Sequence, residues 1–199
     1  MSWNLFSALS ALNLFGNPTH NGRDYVFELG MSFASQLEMC GLWEWAIYVI
    51  YNLPETYPNI RERAVRAILS RYVADIETLD QERFLRQRLN LPVEWIEEAK
   101  SWRAMSRGKL NDAVWHMINS RQYEGAHHLI VTALASKYIL NEAYNEELFN
   151  MLDTLGRHVN HLIGWENRGG MYYDYLGVEK EFKHCQETLR HTEDSAAVS

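Results

Sequence analysis

Apolar side chains recur at helical spacing along almost the whole chain. One predicted helix face carries, at the i, i+3, i+4 and i+7 spacing, Leu42, Trp45, Ala46, Val49, Ile50 and Leu53. Trp43, Ile47 and Tyr51 add a second apolar row to the same segment. A helix that is apolar on two sides is typical of one packed between neighbouring helices. Pro54 and Pro58 are expected to end it.

Other segments repeat this helical spacing between short runs of Gly, Pro and Asn. The face formed by Trp95, Ile96, Ala99 and Trp102 is predicted to be buried, with Glu97 on the opposite, solvated side. No strand-like alternation is found. The sequence therefore predicts an all-α fold of about nine helices, which include Ser2–Leu14, Asp24–Cys40 and Asn141–Leu155.

A bulky residue followed three positions later by alanine recurs in several predicted helices. The pattern occurs at Trp43–Ala46, Leu110–Ala113 and Tyr123–Ala126. Alanine lets two helix backbones approach closely while the large side chain fills the adjoining groove. Because the spacing between copies is irregular, we expect an irregular α-solenoid of stacked antiparallel helices. Residues 1–190 are predicted to form this single block, and residues 191–199 a flexible polar tail.

The last predicted helix has a narrower apolar stripe than the others. Its members alternate in steps of four and three residues: Met171, Tyr175, Val178, Phe182, Cys185 and Leu189. This heptad spacing suits packing against one partner helix. The partner could lie in this chain or in another protein. We name this set of six residues the seam.

Composition and charge narrow the class of protein. Apolar residues make up 47% of the chain and aromatic residues 13%, too many for a disordered segment. The net charge of -7 argues against a surface for duplex nucleic acid, and no direct nucleic-acid partner is expected. Arg61–Lys109 is a weakly positive band, with 11 basic against 8 acidic residues. At most it suggests an acidic protein partner.

The cysteines and the hydropathy pattern bear on the compartment. Cys40 and Cys185 are too few for a secreted disulfide scaffold, which favours a reducing environment. The first cation is Arg23, so no signal peptide is predicted. The longest apolar run, Trp45–Tyr51, is far shorter than the roughly 20 residues of a membrane helix. No transmembrane segment is expected.

No reactive constellation is found in the sequence. Phosphate loops, zinc-binding helices and nucleophile elbows are missing, so no catalytic residue, cofactor or metal is expected, and the chain is predicted not to be an enzyme. Gly169-Gly170 precedes a helix and is interpreted as a flexible hinge. His127 and His128 diverge by about 100° on a helix and cannot chelate one ion from one face. His127 is expected to be a hydrogen-bonded core histidine.

Five colinear pieces of the chain resemble one protein family. The first is Ser32–Glu38 followed by Gly41–Ile47. The others are Arg61–Arg66 with Leu69–Arg71; Leu91–Pro92, Trp95–Ile96 and Glu98–Lys100 with Arg103–Ala104; Ala126–His127, Leu134–Ser136 and Asn141; and Trp165 with Tyr173–Tyr175. Together they are similar to the tail of the ninety-six-kilodalton nucleoporin family, the C-terminal product of a self-cleaving nucleoporin precursor. Tyr123 stands where the family has Trp. The resemblance covers roughly Ser32 to Leu176 and is not extended to the first 30 or last 20 residues.

The resemblance implies a structural function. This family belongs to the Y-shaped outer-ring complex of the nuclear pore, so a scaffold role at the nuclear envelope, in support of protein and mRNA transport, is expected. Its tail module meets the tails of two other α-solenoid nucleoporins at the hub of the Y, which are the expected partners. Contact with the Sec thirteen propeller is expected only through an N-terminal part missing from this sequence.

The docking site is predicted on the terminal helix, and two other classes of function stay open. The residues expected to bind a partner are Met171, Tyr172, Tyr175, Val178 and Phe182. An α-solenoid subunit of a vesicle coat or tethering complex would share the architecture. A helical enzyme or cofactor binder would need convergent polar groups, for which the candidates are His127, His116 and Glu44.

Overall fold

The computed structural model describes residues 20–53, 58–76, 79–141 and 145–197. Within these ranges the chain is helical and contains no strand, which confirms the predicted all-α class. Apart from one short 3₁₀ turn, they hold ten continuous helical stretches, against about nine helices predicted for the whole chain. The predicted helix Ser2–Leu14 lies outside the described residues. The chain divides into two compact units, Met1–Lys100 and Ser101–Ser199.

The first unit contains five α-helices before the division. They are α1 (His20–Met39), α2 (Trp43–Tyr51), α3 (Pro58–Arg71), α4 (Val73–Ile76) and α5 (Leu79–Arg83), which continues as a π-helical turn, Phe84–Arg88. Gly41 lies in the turn that follows α1, and its φ of 78° suits a residue without a side chain. The Leu42 N–H then donates to the Leu37 carbonyl at 2.9 Å, so a Schellman-type turn joins α1 to α2.

α2 lies at the centre of the core of the first unit. Its buried side chains are Trp43, Ala46, Ile47, Val49 and Ile50. They pack with Val65, Ile68 and Leu69 of α3 in one apolar cluster. The Trp43 ring stacks on the Tyr72 ring, with centroids 5.3 Å apart and planes 5° from parallel. The unit is thus held by burial on both sides of α2.

The predicted inner face of α2 is wrong at two positions. Leu42 and Trp45 are about half exposed, whereas Trp43 and Ile47, assigned to the second row, are buried. Trp45 instead makes an edge contact with the Tyr48 ring and a tilted contact with the Phe84 ring. Because this helix is apolar almost all round, spacing alone does not define the side that faces the core.

α6 (Val93–Ser106) contains the division between the units and corrects a second prediction. Ile96 and Ala99 are buried as expected, but Trp102 is more than half exposed. Glu97, predicted to be solvated, is buried. Its carboxylate lies 3.6 Å from the Lys100 ammonium group, which also pairs with Glu82 at 2.9 Å. An ion pair therefore offsets the cost of burying this charge.

The second unit is built from the remaining helices. They are α7 (Leu110–Asn119), α8 (Tyr123–Leu129), α9 (Ala135–Ile139), α10 (Asn145–Gly156) and α11 (Gly169–Ala197). A π-helical turn, Ile130–Leu134, joins α8 directly to α9, and a 3₁₀ turn, Val159–His161, follows α10. Gly108, with φ of 72°, precedes α7, and Arg121, with φ of 62°, follows it.

A separate apolar cluster forms the core of the second unit. α10 contributes its fully buried Leu148, Met151, Leu152 and Leu155. α7 and α8 add Val114, Met117 and Ala126, and α11 adds Leu176. The prediction of a single solenoid block over residues 1–190 stays a prediction, as does fraying of residues 191–199, although the helix itself extends to Ala197. In the described ranges, no helix is both long and apolar enough to cross a membrane.

Candidate docking surface on the C-terminal helix

The first turn of α11 is fixed in the core of the second unit. Gly169 and Gly170 are buried there, and the Gly169 N–H donates to His127 Nε2 at 3.2 Å. A Cβ built on Gly169 would lie 2.7 Å from the Trp165 ring and 2.8 Å from His127 Nε2. The interpretation of the glycine pair as a flexible hinge is therefore wrong. These glycines permit close packing of the chain against two rings.

His127 is a buried core histidine, as predicted. Burial lowers its pKa below the ordinary value of 6.5, and the nearby Arg168 and His128 lower it further, against an opposing effect of Glu124. Because Nε2 accepts the Gly169 N–H, the neutral ring carries its proton on Nδ1. Nδ1 has no hydrogen-bond partner among the described residues. The neutral imidazole therefore acts as a structural acceptor.

One side of α11 packs on α10. The Tyr173 ring stacks on the Phe149 ring at 5.0 Å, and the Tyr173 hydroxyl donates to an Asp153 carboxylate oxygen at 3.1 Å. Leu176, 3% exposed, enters the apolar core one turn later. Asn145 at the start of α10 donates to the Glu179 carboxylate at 3.0 Å. These contacts fix the rotation of α11 about its own axis.

The hydrogen bonds around Asp153 also shift two pKa values. Donation from Arg157, and secondarily from Tyr173, lowers the pKa of the Asp153 carboxyl. Accepting the bond keeps the Tyr173 hydroxyl protonated, so the pKa of Tyr173 is raised. Both shifts favour an ionised Asp153 and a protonated Tyr173 at neutral pH, which are the states that form the hydrogen bond between them. The group is a structural tie between α10 and α11.

The seam lies on the opposite side of α11 and is exposed to solvent. Met171, Tyr175, Val178, Phe182 and Leu189 are each 53% to 67% exposed, and Cys185 is exposed as well. Side chains from Lys180 to Arg190 are exposed on every side of the helix. Soluble proteins seldom leave a continuous apolar stripe uncovered unless it binds something.

Four of the five predicted partner-binding residues lie together on this stripe. They are Met171, Tyr175, Val178 and Phe182. Tyr172 is set apart from them, because it is half-buried and packs against the core of the second unit. The other two members of the seam, Cys185 and Leu189, are also exposed and continue the same stripe toward the end of the helix.

Two carboxylates beside the seam were missed by the sequence interpretation. Asp174 and Glu181 lie seven residues apart along one edge of the stripe, and both side chains are exposed. Neither forms an ion pair with another residue in the described part of the chain. Both carboxylates could have been found from the heptad spacing, because charges at the positions that flank a coiled-coil stripe determine which partner binds.

The polar residues considered for an enzyme or cofactor site are divided between the two units. Glu44 lies in the first unit, where it accepts a weak 3.4 Å hydrogen bond from Gln81. In the second unit His127 is buried and His116 is half-buried. No group of three or more His, Cys, Asp or Glu side chains in the described ranges could hold a metal ion. The fold and surface thus define an all-α protein whose candidate site is an uncovered apolar helix face.

The chain belongs to the Nup96 family, whose description is "Nuclear protein 96". Residues 1–103 match that family. The "Nuclear pore complex protein Nup98-Nup96" of Dictyostelium discoideum is 29% identical over 197 residues, 96% of this chain and 9% of that protein. The protein of the same name in Drosophila melanogaster is 30% identical over 193 residues, 94% of this chain and 9% of the relative. "Nuclear pore complex protein NUP96" of Arabidopsis thaliana is 24% identical over 191 residues, 95% of this chain and 18% of the relative.

These similarities confirm the family resemblance and extend it. The match includes the first 30 residues, to which the resemblance noted in the sequence was not extended, and it reaches over nearly the whole chain. The family is not one of enzymes. The chain spans less than a fifth of the length of each of these relatives.

Proposed function

We propose that this chain is a structural module of the nuclear pore complex that binds other scaffold nucleoporins. Its relatives are named as nuclear pore complex proteins, which supports a location at the nuclear envelope. The finer assignment is a place in the Y-shaped outer-ring complex, where the chain contacts the tails of two other α-solenoid nucleoporins. This role would support transport of protein and mRNA by maintaining the scaffold.

The observation that carries the proposal is the exposed seam of α11. Burial of apolar surface contributes about 25 cal/mol per Å² before the costs of association. Tyr175, Val178 and Phe182 are large and at least half exposed, and the other side of their helix is fixed by α10. A partner helix could therefore bury them without rearrangement of the unit. The apolar interaction needs no reactive group.

The test is a double substitution in the centre of the seam. Val178→Glu with Phe182→Glu places two charges where an apolar partner surface would lie, so co-purification of scaffold nucleoporins with the tagged chain should be lost. Both side chains are exposed, so helix content by circular dichroism should be unchanged. Undiminished recovery of those nucleoporins would refute the docking surface.

A matched control lies on the same helix. His184→Glu with Arg190→Gln makes the same change in net charge at exposed positions of this helix that lie neither in the seam nor on its edges. This variant should retain the nucleoporins. Loss of binding in both variants would mean that added negative charge, rather than lost apolar contact, explains the result.

Localisation distinguishes the proposal from a vesicle-coat or tethering subunit. A tagged chain should produce a nuclear rim, whereas a coat subunit would produce cytoplasmic puncta. If the seam recruits the chain, the Val178→Glu and Phe182→Glu variant should lose rim staining and the control variant should keep it.

A further inference from the structure

We infer that the seam accepts a helix of another protein whose apolar stripe is flanked by Lys or Arg, and that it does not pair with a second copy of this chain. This inference rests on the proposed function and specifies the chemistry of the partner. The observations that carry it are the exposure of the seam and the charges along its edges.

The seam has the geometry of one half of a helix pair. Tyr175, Val178, Phe182, Cys185 and Leu189 alternate in steps of three and four, so they remain on one side of α11 for more than two heptads. All of these side chains are exposed. Their spacing matches the period with which a second helix crosses at a shallow angle. The shape of the stripe therefore fits an extended helix better than a loop or a globular surface.

The edges of the seam carry acidic residues and no cation. The edges are the positions directly before and directly after the stripe residues, repeated every seven residues. The first edge consists of Asp174, Glu181 and Thr188, and the second consists of Tyr172, Glu179 and Gln186. The basic groups of this region, Lys180, Lys183 and Arg190, occupy positions away from the stripe. Lys180 lies over the Phe149 ring at 5.0 Å, on the side of α11 that packs against α10.

The two edges differ in how far their carboxylates are satisfied. Glu179 pairs with Lys183 at 2.7 Å and accepts a hydrogen bond from Asn145, so its charge is largely compensated within the unit. Asp174 and Glu181 are exposed and make no ion pair with another described residue. A Lys or Arg on an arriving helix would therefore find its best partners at Asp174 and Glu181.

A second copy of this chain is a poor occupant on the same grounds. In a parallel pair, Asp174 of one copy would face Glu179 of the other. In an antiparallel pair, Asp174 would face Glu181. Each arrangement sets like charges against each other, and the net charge of -7 adds long-range repulsion. Charge thus disfavours self-association although the apolar stripe permits it.

Two synthetic helical peptides test this inference directly. Both carry leucine at the stripe positions, one with Lys and the other with Glu at the flanking positions. Fluorescence anisotropy should show the Lys peptide binding the full chain roughly tenfold more tightly than the Glu peptide, with a smaller difference at high salt. Equal binding of the two peptides, or binding of neither, would overturn the inference.

Charge reversal on the protein supplies the reciprocal test. Asp174→Lys with Glu181→Lys should reverse the preference, so that the Glu peptide binds more tightly than the Lys peptide. Glu166→Lys with Glu187→Lys makes the same change in net charge at exposed positions outside the seam, and it should leave the order of the peptides unchanged. Reversal in both variants would mean that net charge alone selects the peptide, which overturns the inference.

The oligomeric state separates this inference from the proposed function. The wild-type chain and the Val178→Glu, Phe182→Glu variant should have the same monomeric mass by sedimentation. A wild-type dimer that this variant dissociates would identify a second copy as the occupant. If the variant loses nucleoporins while charge reversal leaves the peptide order unchanged, the proposed function stands and the basic-flanked partner does not.

Discussion

Gly169 shows how a single residue positions the candidate docking helix. A methyl group at this position would overlap the Trp165 ring and His127 Nε2, neither of which is the free end of a flexible chain. Gly177, in the same helix, has no atom within 4 Å of its would-be Cβ. Close packing therefore requires glycine at position 169. At position 177 glycine only lowers the helix propensity.

Alanine at each position should consequently have opposite effects. Gly169→Ala should lower the free energy of unfolding by about 1–3 kcal/mol through overpacking. Gly177→Ala should raise it by about 0.5–1 kcal/mol, because alanine has the better helix propensity. Urea unfolding followed by circular dichroism measures both. A stabilised Gly169→Ala variant would show that the first turn of α11 is not packed as described.

His127 should make stability depend on pH. Its pKa is lowered in the folded state, mainly by burial, so the unfolded chain binds the extra proton first as the solution is acidified. The contribution of the neutral ring is complete above the unfolded pKa of about 6.5. It is lost as pH falls from there through the lower folded pKa.

The measurement is the free energy of unfolding between pH 5 and pH 8 for wild type and for His127→Gln. The glutamine amide oxygen can accept the Gly169 N–H but does not titrate. The decline in stability on acidification should therefore be shallower in the variant. Parallel curves for the two proteins would assign the decline to other groups.

At the scale of the element, the sequence predicted helices better than it predicted their faces. The position of α2 was predicted closely, yet Trp45 was placed inside and is half exposed. α6 was assigned an inner Trp102 and an outer Glu97, and the structure reverses both. In each helix large apolar residues occupy more than one side, so the buried face is decided by neighbours distant in sequence.

The candidate site could be predicted from the sequence where the apolar stripe of the helix was narrow. The stripe of α11 was found from its heptad spacing, because polar residues border it on both sides. The partial burial of Tyr172 was not predicted, because an aromatic ring suits either side of the helix. Its position depends on packing against the core with Phe149 and Tyr173, which lies beyond any local pattern. The role of Gly169 depends on two rings brought from elsewhere in the chain, which no local pattern encodes.

A pair of leucines in α11 tests the two sides of the helix. Leu176 is 3% exposed and Leu189 is 64% exposed. Leu176→Ala should lower the free energy of unfolding by about 2–4 kcal/mol, because it leaves a cavity in the core. Leu189→Ala should change it by less than about 0.5 kcal/mol. Comparable losses at the two positions would mean that Leu189 is covered within the free protein.

At the scale of the whole molecule, the composition predicted the fold class, and five similarities in the same order along the chain predicted the family. High apolar content with few glycines and prolines indicated a helical, folded chain. Five weak similarities in the same order identified the family, which the relatives confirm over more than nine tenths of the chain. Each of the two units has its own apolar cluster, a division that helical periodicity alone does not mark.

The length of α11 beyond its last packed residues has a mechanical consequence. From Glu181 to Arg190 the helix rises about 14 Å, at 1.5 Å per residue, with every side chain exposed. A slight change in the tilt of α11 at Tyr173 or Leu176 therefore displaces Leu189 by more than it displaces the packed residues. Substitutions in the interior of the second unit are therefore expected to displace the exposed end of the seam without altering any seam residue.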